Sequence, residues 1–277
     1  MFEVKIIADS TNEAKNTRLT TFQLKYPRFF HSELMTHRVF SRNASSSRAI
    51  PIKKMIEMVE KEPAMPIEWG KNQKGMQAKE VLDDVTASRA GKLWIEASRH
   101  ACAYAQSLET LGVHKQITNR LLEPFQWISV IVTATDYRNF FELRTHEDAQ
   151  PEFRVLARMM EEEYNKSIPE VLQDGQYHLP YITPTDKIHN YSILDLAKMS
   201  AARCARVSYL THDGKEPDPQ KDFELYERLV GSQPMHCSPV EHQARLVFYG
   251  QSYLNGNFDK CWVQFRKLIE LKKESSF

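Results

Sequence analysis

The first sixty residues alternate between apolar and polar positions in two distinct rhythms. Phe2 to Ala8 alternates weakly and Leu19 to Tyr26 more cleanly, with Leu19, Thr21, Gln23 and Lys25 opposing Thr20, Phe22, Leu24 and Tyr26. Alternate side chains of a strand point to opposite faces, so two strands are expected, the second ending at Pro27. Arg28 to Arg38 sets Phe29, Phe30, Leu34 and His37 at helical spacing and predicts a short helix. Ile52 to Lys61 begins another after Pro51. The longest helical pattern runs from Lys79 to Leu111, interrupted only by Gly91, and Val113 to Leu122 continues it until Pro124 stops it. Phe125 to Asn139 is apolar and β-branched, and periodicity alone does not separate a strand from a buried helix there. Pro151 to Ser167 reads as a helix with Phe153, Leu156, Ala157 and Met160 on one face. Further helices are expected at Ser192–Ser208, Asp218–Gly231 and Phe258–Lys272.

Between these elements, Glu62 to Lys74 contains Pro63, Pro66 and Gly70 and reads as a loop, with Trp69 either stacking on a planar ligand or anchoring the loop. Ile168 to Asp186 is rich in Pro, Gly and Tyr and reads as a connector. The chain thus divides into a core (1–167), a connector (168–190) and a C-terminal segment (191–277). Phosphate-cradling glycine motifs are absent, so any dinucleotide is not held by a Rossmann loop.

Composition narrows the function. Apolar residues make up 42% and charged residues 26%, as in an ordinary globular protein. A net charge of +1 disfavours sequence-independent nucleic-acid binding, yet leaves room for a local basic cleft. No apolar run is long enough to span a bilayer, and the N-terminus lacks a signal-peptide core, so a cytoplasmic protein without membrane contact is expected. Cys102, Cys204, Cys237 and Cys261 are scattered and suit reduced thiols; His236–Cys237 with Cys204 lacks zinc-ligand spacing, so no metal site is expected.

The most distinctive stretch is THRVFSRNASSSR, Thr36 to Arg48. Arg38, Arg42 and Arg48 alternate with Ser41, Asn43, Ser45, Ser46 and Ser47, and no acid lies between Glu33 and Glu57. Guanidinium groups donate in pairs and hydroxyls singly, which suits phosphate oxygens; a solvated serine-rich loop is the plain alternative.

The arrangement resembles the signature of the flavin-dependent thymidylate synthases, Arg-His-Arg, seven residues, Ser, one residue, Arg. His37, Arg38, Ser46 and Arg48 fall at matching positions, while Thr36 replaces the first arginine and Ala44 stands where an acid is common. Asn139 to Gln150 (NFFELRTHEDAQ) resembles a second motif of that family, with Asp148 at a position usually held by His and His146 two residues away. NRLLEP, containing Arg120, resembles a third. ARCARVSY (Ala202–Tyr209) and SPVEH (Ser238–His242) resemble motifs that precede the signature in ordinary members. Here they follow it, so the order looks circularly permuted, with the C-terminal segment completing the same domain.

The resemblance implies an α+β fold with long helices on a small mixed sheet, and transfer of a one-carbon unit from methylenetetrahydrofolate to dUMP. FAD would carry hydride and NADPH would be the reductant. It implies Ser46, Arg48, Arg120 and Arg144 for dUMP, with Arg144 also catalytic, facing the negative charge that develops on the uracil. It implies His37, Arg38, Asn43, Asn139, Ser208 and His242 for FAD, and a homotetramer with sites between subunits. From the residues alone, Arg144 could instead pair with Glu142 or Glu147, and His242 could be a core histidine beside a helix cap. Two other outcomes stay open: a related pyrimidine product such as 5-hydroxymethyl-dUMP, or a nucleotide-binding homologue without catalysis.

Overall fold

The computed structural model of the protein describes every residue except 15, 208–217, 248–251 and 275–277, and every remaining side chain except those of 252, 273 and 274. Strands β1 (Glu3–Asn12), β2 (Arg18–Pro27), β3 (Ser41–Ala44), β4 (Trp127–Ala134) and β5 (Glu170–Leu172) form one sheet in the order β3-β4-β2-β1-β5. The sheet is mixed: β5 runs parallel to β1 and the other pairs are antiparallel. Thr21 lies opposite Thr133, which on its other side lies opposite Ser41; Phe22 lies opposite Val132, which lies opposite Arg42. Directly opposed residues share a face. Thr21, Gln23, Ile131, Thr133, Ser41 and Asn43 therefore form a largely polar face, and Phe22, Leu24, Tyr26, Val130 and Val132 an apolar one.

The apolar face is covered by α1 (His31–Met35), α5 (Arg138–Thr145) and α6 (Pro151–Lys166), whose Leu34, Phe140, Phe153, Leu156 and Met160 join the strand residues in one core cluster. The polar face is covered by the connector and the C-terminal segment together, and there hydrogen bonds match polar strand residues to partners. Tyr181 donates from its hydroxyl to Gln23 at 2.5 Å, Asn43 Nδ2 donates to the Cys204 carbonyl at 2.8 Å, and Gln264 Nε2 donates to Ser41 Oγ at 3.2 Å. β4 is buried nearly throughout because both its faces are covered, which explains its unbroken apolar run. A second, small sheet of β6 (Tyr177–His178), β7 (Ala244–Leu246) and β8 (Trp262–Gln264) is tied to the first by Trp262 Nε1 donating to Thr17 Oγ1 at 2.9 Å.

Several expected boundaries shift for identifiable reasons. α2 (Ile52–Lys61) forms as the pattern predicts, but α3 (Asp84–Thr110) begins five residues after Lys79 because Asp83 caps it, accepting from Thr86 N at 3.0 Å. Beyond α4 (Lys115–Thr118) the chain tightens into a 3₁₀ helix, Asn119–Phe125, containing Pro124. The expected connector carries β5, β6 and α7 (Pro184–Ile188), so it contributes to both sheets. Phe258–Lys272 is not one helix: Trp262–Gln264 pairs with β7 as a buried strand, and α10 (Phe265–Glu274) starts only after it. α8 (Ile193–Arg206) and α9 (Pro219–Tyr226) lie within the expected spans. All four cysteines are free.

Loop 62–83 is folded back on itself by a bridge between Gly70 and Val81. A Cβ at Gly70 would stand 2.3 Å from the Ala78 Cβ, so only glycine allows this crossing. Trp69 meets Trp94 of α3 edge to face at 6.2 Å, and the Glu152 carboxylate accepts from Ile67 N at 2.9 Å. Trp69 therefore anchors the loop.

Candidate functional site

Two clusters of cationic and hydroxyl side chains flank β3, the edge strand of the main sheet. The first sits where α1 ends. His37 lies just beyond the helix, its ring stacked on Phe40 at 5.6 Å and edge-on to Phe140 at 5.0 Å. Arg144, on the last turn of α5, donates from Nε to His37 Nε2 at 2.9 Å and from Nη2 to Thr36 Oγ1 at 3.4 Å. Its guanidinium carbon lies 4.6 Å from the centre of the Phe153 ring. Accepting at Nε2 requires a neutral imidazole with its proton on Nδ1. Burial, then the charges of Arg144 and Arg42, hold His37 at about 4, so it is neutral near pH 7. Arg144 pairs with neither Glu142 nor Glu147. The Thr36 hydroxyl, which itself donates to the Glu33 carbonyl at 2.7 Å, is thereby oriented to accept from Arg144.

The second cluster surrounds Glu123, whose Oε1 accepts from Ser47 Oγ at 2.8 Å and pairs with Arg120 at 2.7 Å and Arg28 at 2.9 Å. Asn119 Nδ2 donates to the carbonyls of Ser47 at 2.7 Å and Ile50 at 3.0 Å, which fixes the turn bearing Ser46 and Arg48. Ser46 is half-buried, whereas Arg48 and Arg120 are exposed. Arg42 spans the gap between the clusters. It donates to the Met35 carbonyl at 2.7 Å and the His37 carbonyl at 3.3 Å, capping the end of α1 rather than facing a ligand. Burial and the charges of Arg28 and Arg42 hold His31, also in this gap, at about 4.

The other predicted site residues separate. Arg38 and Asn139 are exposed. Asn43 and His242 lie across the sheet from His37, on the face covered by the C-terminal segment. Asn43 is bound to Cys204 and accepts from Ser238 Oγ at 3.3 Å. His242 is fully buried and close to β2 through Thr133 and Thr21, but it shares no cleft with His37 within one chain. Ser208 lies outside the described residues. His146 and Asp148 are both exposed and face each other at 3.7 Å.

The polar face also holds a relay that the sequence reading missed. Ser10 Oγ meets His178 Nδ1, His178 Nε2 meets Thr21 Oγ1, Thr21 meets Thr133, and Thr133 meets His242 Nδ1, each at 2.8 Å. Every member is buried, and His242 Nε2 has no partner among the described residues. Burial holds both histidines at about 3.

With His31 and His37, four histidines are thus neutral in the folded chain well below their ordinary 6.5. The unfolded chain binds these protons first as pH falls, so their contribution to stability is complete above 6.5 and is lost on acidification toward the folded values. Unfolding at pH ~5 should take up about four protons through these groups. Urea midpoints measured between pH ~4.5 and ~7 would reveal the slope, and a flat profile would mean that the four are charged or exposed.

Comparison with known proteins bears on the fold and the family. Two crystal structures of a UMP/dUMP methylase PolB from Streptomyces cacaoi resemble the chain. The one bound with 5-Br UMP is 17% identical at a TM-score of 0.51, covering 60% of this chain and 89% of that one. The one bound with 5-Br dUMP is 16% identical at a TM-score of 0.46, covering 60% and 91%. At such identity the first likeness speaks for a common fold alone. No curated protein sequence matches the chain. Residues 15–170, more than half of the chain, match the family described as thymidylate synthase complementing protein. That span holds β2 through α6, and with them both clusters beside the edge strand: the chain belongs to the thymidylate synthase complementing protein family.

Proposed function

We propose that the protein methylates dUMP to dTMP, taking the one-carbon unit from methylenetetrahydrofolate, with FAD as hydride carrier and NADPH as reductant. The observation that carries this reading is Arg144, oriented by a neutral His37 and a threonine hydroxyl beside a belt of arginines, in a chain of this family.

The residues present fit phosphate-bearing ligands. Arg48 and Arg38 are exposed and have no carboxylate partner among the described residues, and Ser46 and Arg48 share the turn closed by Ala49 N donating to the Ser46 carbonyl at 3.0 Å. Ser46, Arg48 and Arg120 would hold the nucleotide, with Glu123 keeping Arg120 and the serine turn in register. His37, Arg38 and Asn139 would hold the flavin, which when bound supplies hydride transfer. Arg144 uses two of its five N–H donors on His37 and Thr36, which leaves three for a uracil carrying developing negative charge. Its charge persists throughout turnover, so it stabilises that charge without moving a proton. Asn43 and His242 would act from behind the sheet, by packing.

The oligomer belongs to the same reading. Leu93, Tyr104 and Leu111 are 66%, 67% and 78% exposed and align along α3, opposite its buried Ser98, Cys102 and Ala105. An exposed apolar stripe on a long helix suits contact with another copy of the chain, as a homotetramer with shared sites would need. The C-terminal segment, which packs on the polar face of the sheet through Cys204 and Gln264, would complete this domain as the permuted part of the fold.

Incubation with FAD, methylenetetrahydrofolate and NADPH, with dUMP in one arm and UMP in another, followed by mass spectrometry of the nucleotide, tests the reaction. A hydroxymethyl product, or methylation of UMP alone, would replace it. Arg38→Ala should weaken FAD binding by at least about tenfold, since a charge-assisted contact is worth roughly 1.5–3 kcal/mol. Matching flavin titrations for variant and parent would remove Arg38 from the site.

A further inference from the structure

A cavity of about 750 Å³ opens in the C-terminal third between α8, β6, β7, α9 and α10, and none of its lining residues belongs to the arginine belt. Its position follows from the small sheet. Tyr177 and Arg245 lie directly opposite each other across β6 and β7, so both side chains emerge on one face, away from buried His178 and Ala244. α10 then contributes Phe265 and Ile269, and α9 contributes Tyr226.

Three rings, Tyr177, Tyr226 and Phe265, stand in the wall together with three cations, Lys198, Arg245 and Lys272. No carboxylate lines the cavity among the described residues. Lys198 Nζ lies 5.6 Å from the centre of the Tyr226 ring, and Glu227, outside the lining, approaches it at 3.8 Å with its own side chain 63% exposed. The volume falls in the range of sites for small organic ligands, roughly 300–1,000 Å³. Ring walls favour a flat, rigid body, because stacking adds to burial and a rigid ligand loses little conformational freedom. The cationic lining selects the sign of the polar end.

We propose that this cavity binds a planar aromatic anion, a ring system bearing a carboxylate, sulfonate or phosphate, its body against Tyr177, Tyr226 and Phe265 and its charge toward Lys198. The site is independent of the nucleotide chemistry proposed above and stands if that reading fails.

Anilinonaphthalene sulfonate is a suitable probe, because its fluorescence rises in an apolar wall and it carries the required charge. Titration of the full-length protein should saturate, and Lys198→Glu and Ile269→Trp should each weaken binding by about tenfold or more. Circular dichroism checks that both variants fold, and Lys198→Glu, at a partly exposed side chain, carries the test if the other does not. Naphthoate should displace the probe, while dodecanoate and the uncharged naphthalenemethanol should not. Arg144→Ala should bind the probe as the parent does, which separates this site from the belt. Unchanged titration of both cavity variants would overturn the site. Displacement by dodecanoate or naphthalenemethanol would overturn the ligand class.

Discussion

Arg144→Ala is expected to lower nucleotide turnover by about 10²–10³-fold, the cost of removing one preorganised donor from a site of developing charge. The unfolding midpoint should hardly move. Arg144 is half-exposed, its partner His37 is neutral, and the Phe153 ring that it covers keeps its packing against Phe30 and Phe140. Arg144→Lys should fall between variant and parent. It keeps a charge, but an ammonium cannot bond His37 and Thr36 and still present a planar fork to the base. Turnover and thermal unfolding measured on the same preparations separate the two roles. Parent-level turnover in Arg144→Ala would make the residue structural and remove the central feature of the proposed mechanism.

The order of the N-terminal elements was legible because local pattern and tertiary environment agree there. Leu19 to Tyr26 alternates since one face meets α6 and the other meets the polar C-terminal cover, and Phe153, Leu156, Ala157 and Met160 recur at helical spacing since a single face of α6 is buried. Agreement failed where burial comes from partners distant in sequence. Trp262–Gln264 reads as helix in isolation, but pairing with β7 and complete burial make it a strand. In the site, Arg144 and His37 could be grouped only through the family resemblance, because 107 positions separate them. Glu123 was overlooked although Arg120 stands three residues before it, a spacing that brings side chains together on a helical turn. The resemblance placed Asn43 beside His37 in one role. The strand period puts Asn43 on the opposite face, and only the register of β3 against β4 reveals it.

Arg203→Ala should cost about 3–5 kcal/mol of stability, a large share of what holds a domain together. Arg203 belongs to the ARCARVSY stretch and has a side chain only 2% exposed. It donates from Nη1 and Nη2 to both oxygens of Asp186 at 2.6 and 2.8 Å, from Nε to Asp222 at 2.8 Å, and from Nη1 to the Tyr181 carbonyl at 2.8 Å. One guanidinium thus clamps α7, α8 and α9 beneath the cover of the main sheet. Truncation leaves Asp222 with Arg206, at 2.6 Å, but leaves Asp186 with only the Thr183 amide and hydroxyl. Burial alone would raise the Asp186 carboxyl; the bonds from Arg203 and Thr183 outweigh it and hold the group at about 2, against an ordinary 3.8. That contribution is present above the ordinary value and is lost as pH falls through the folded one, so the penalty of Arg203→Ala should be full at pH ~7 and shrink in strong acid. Pairing the substitution with Asp186→Asn removes the stranded charge and should recover part of the loss, which a simple packing defect at position 203 would not allow. Denaturant unfolding of parent, single and double variants decides between them, and a single variant within ~0.5 kcal/mol of the parent would show that the clamp contributes little.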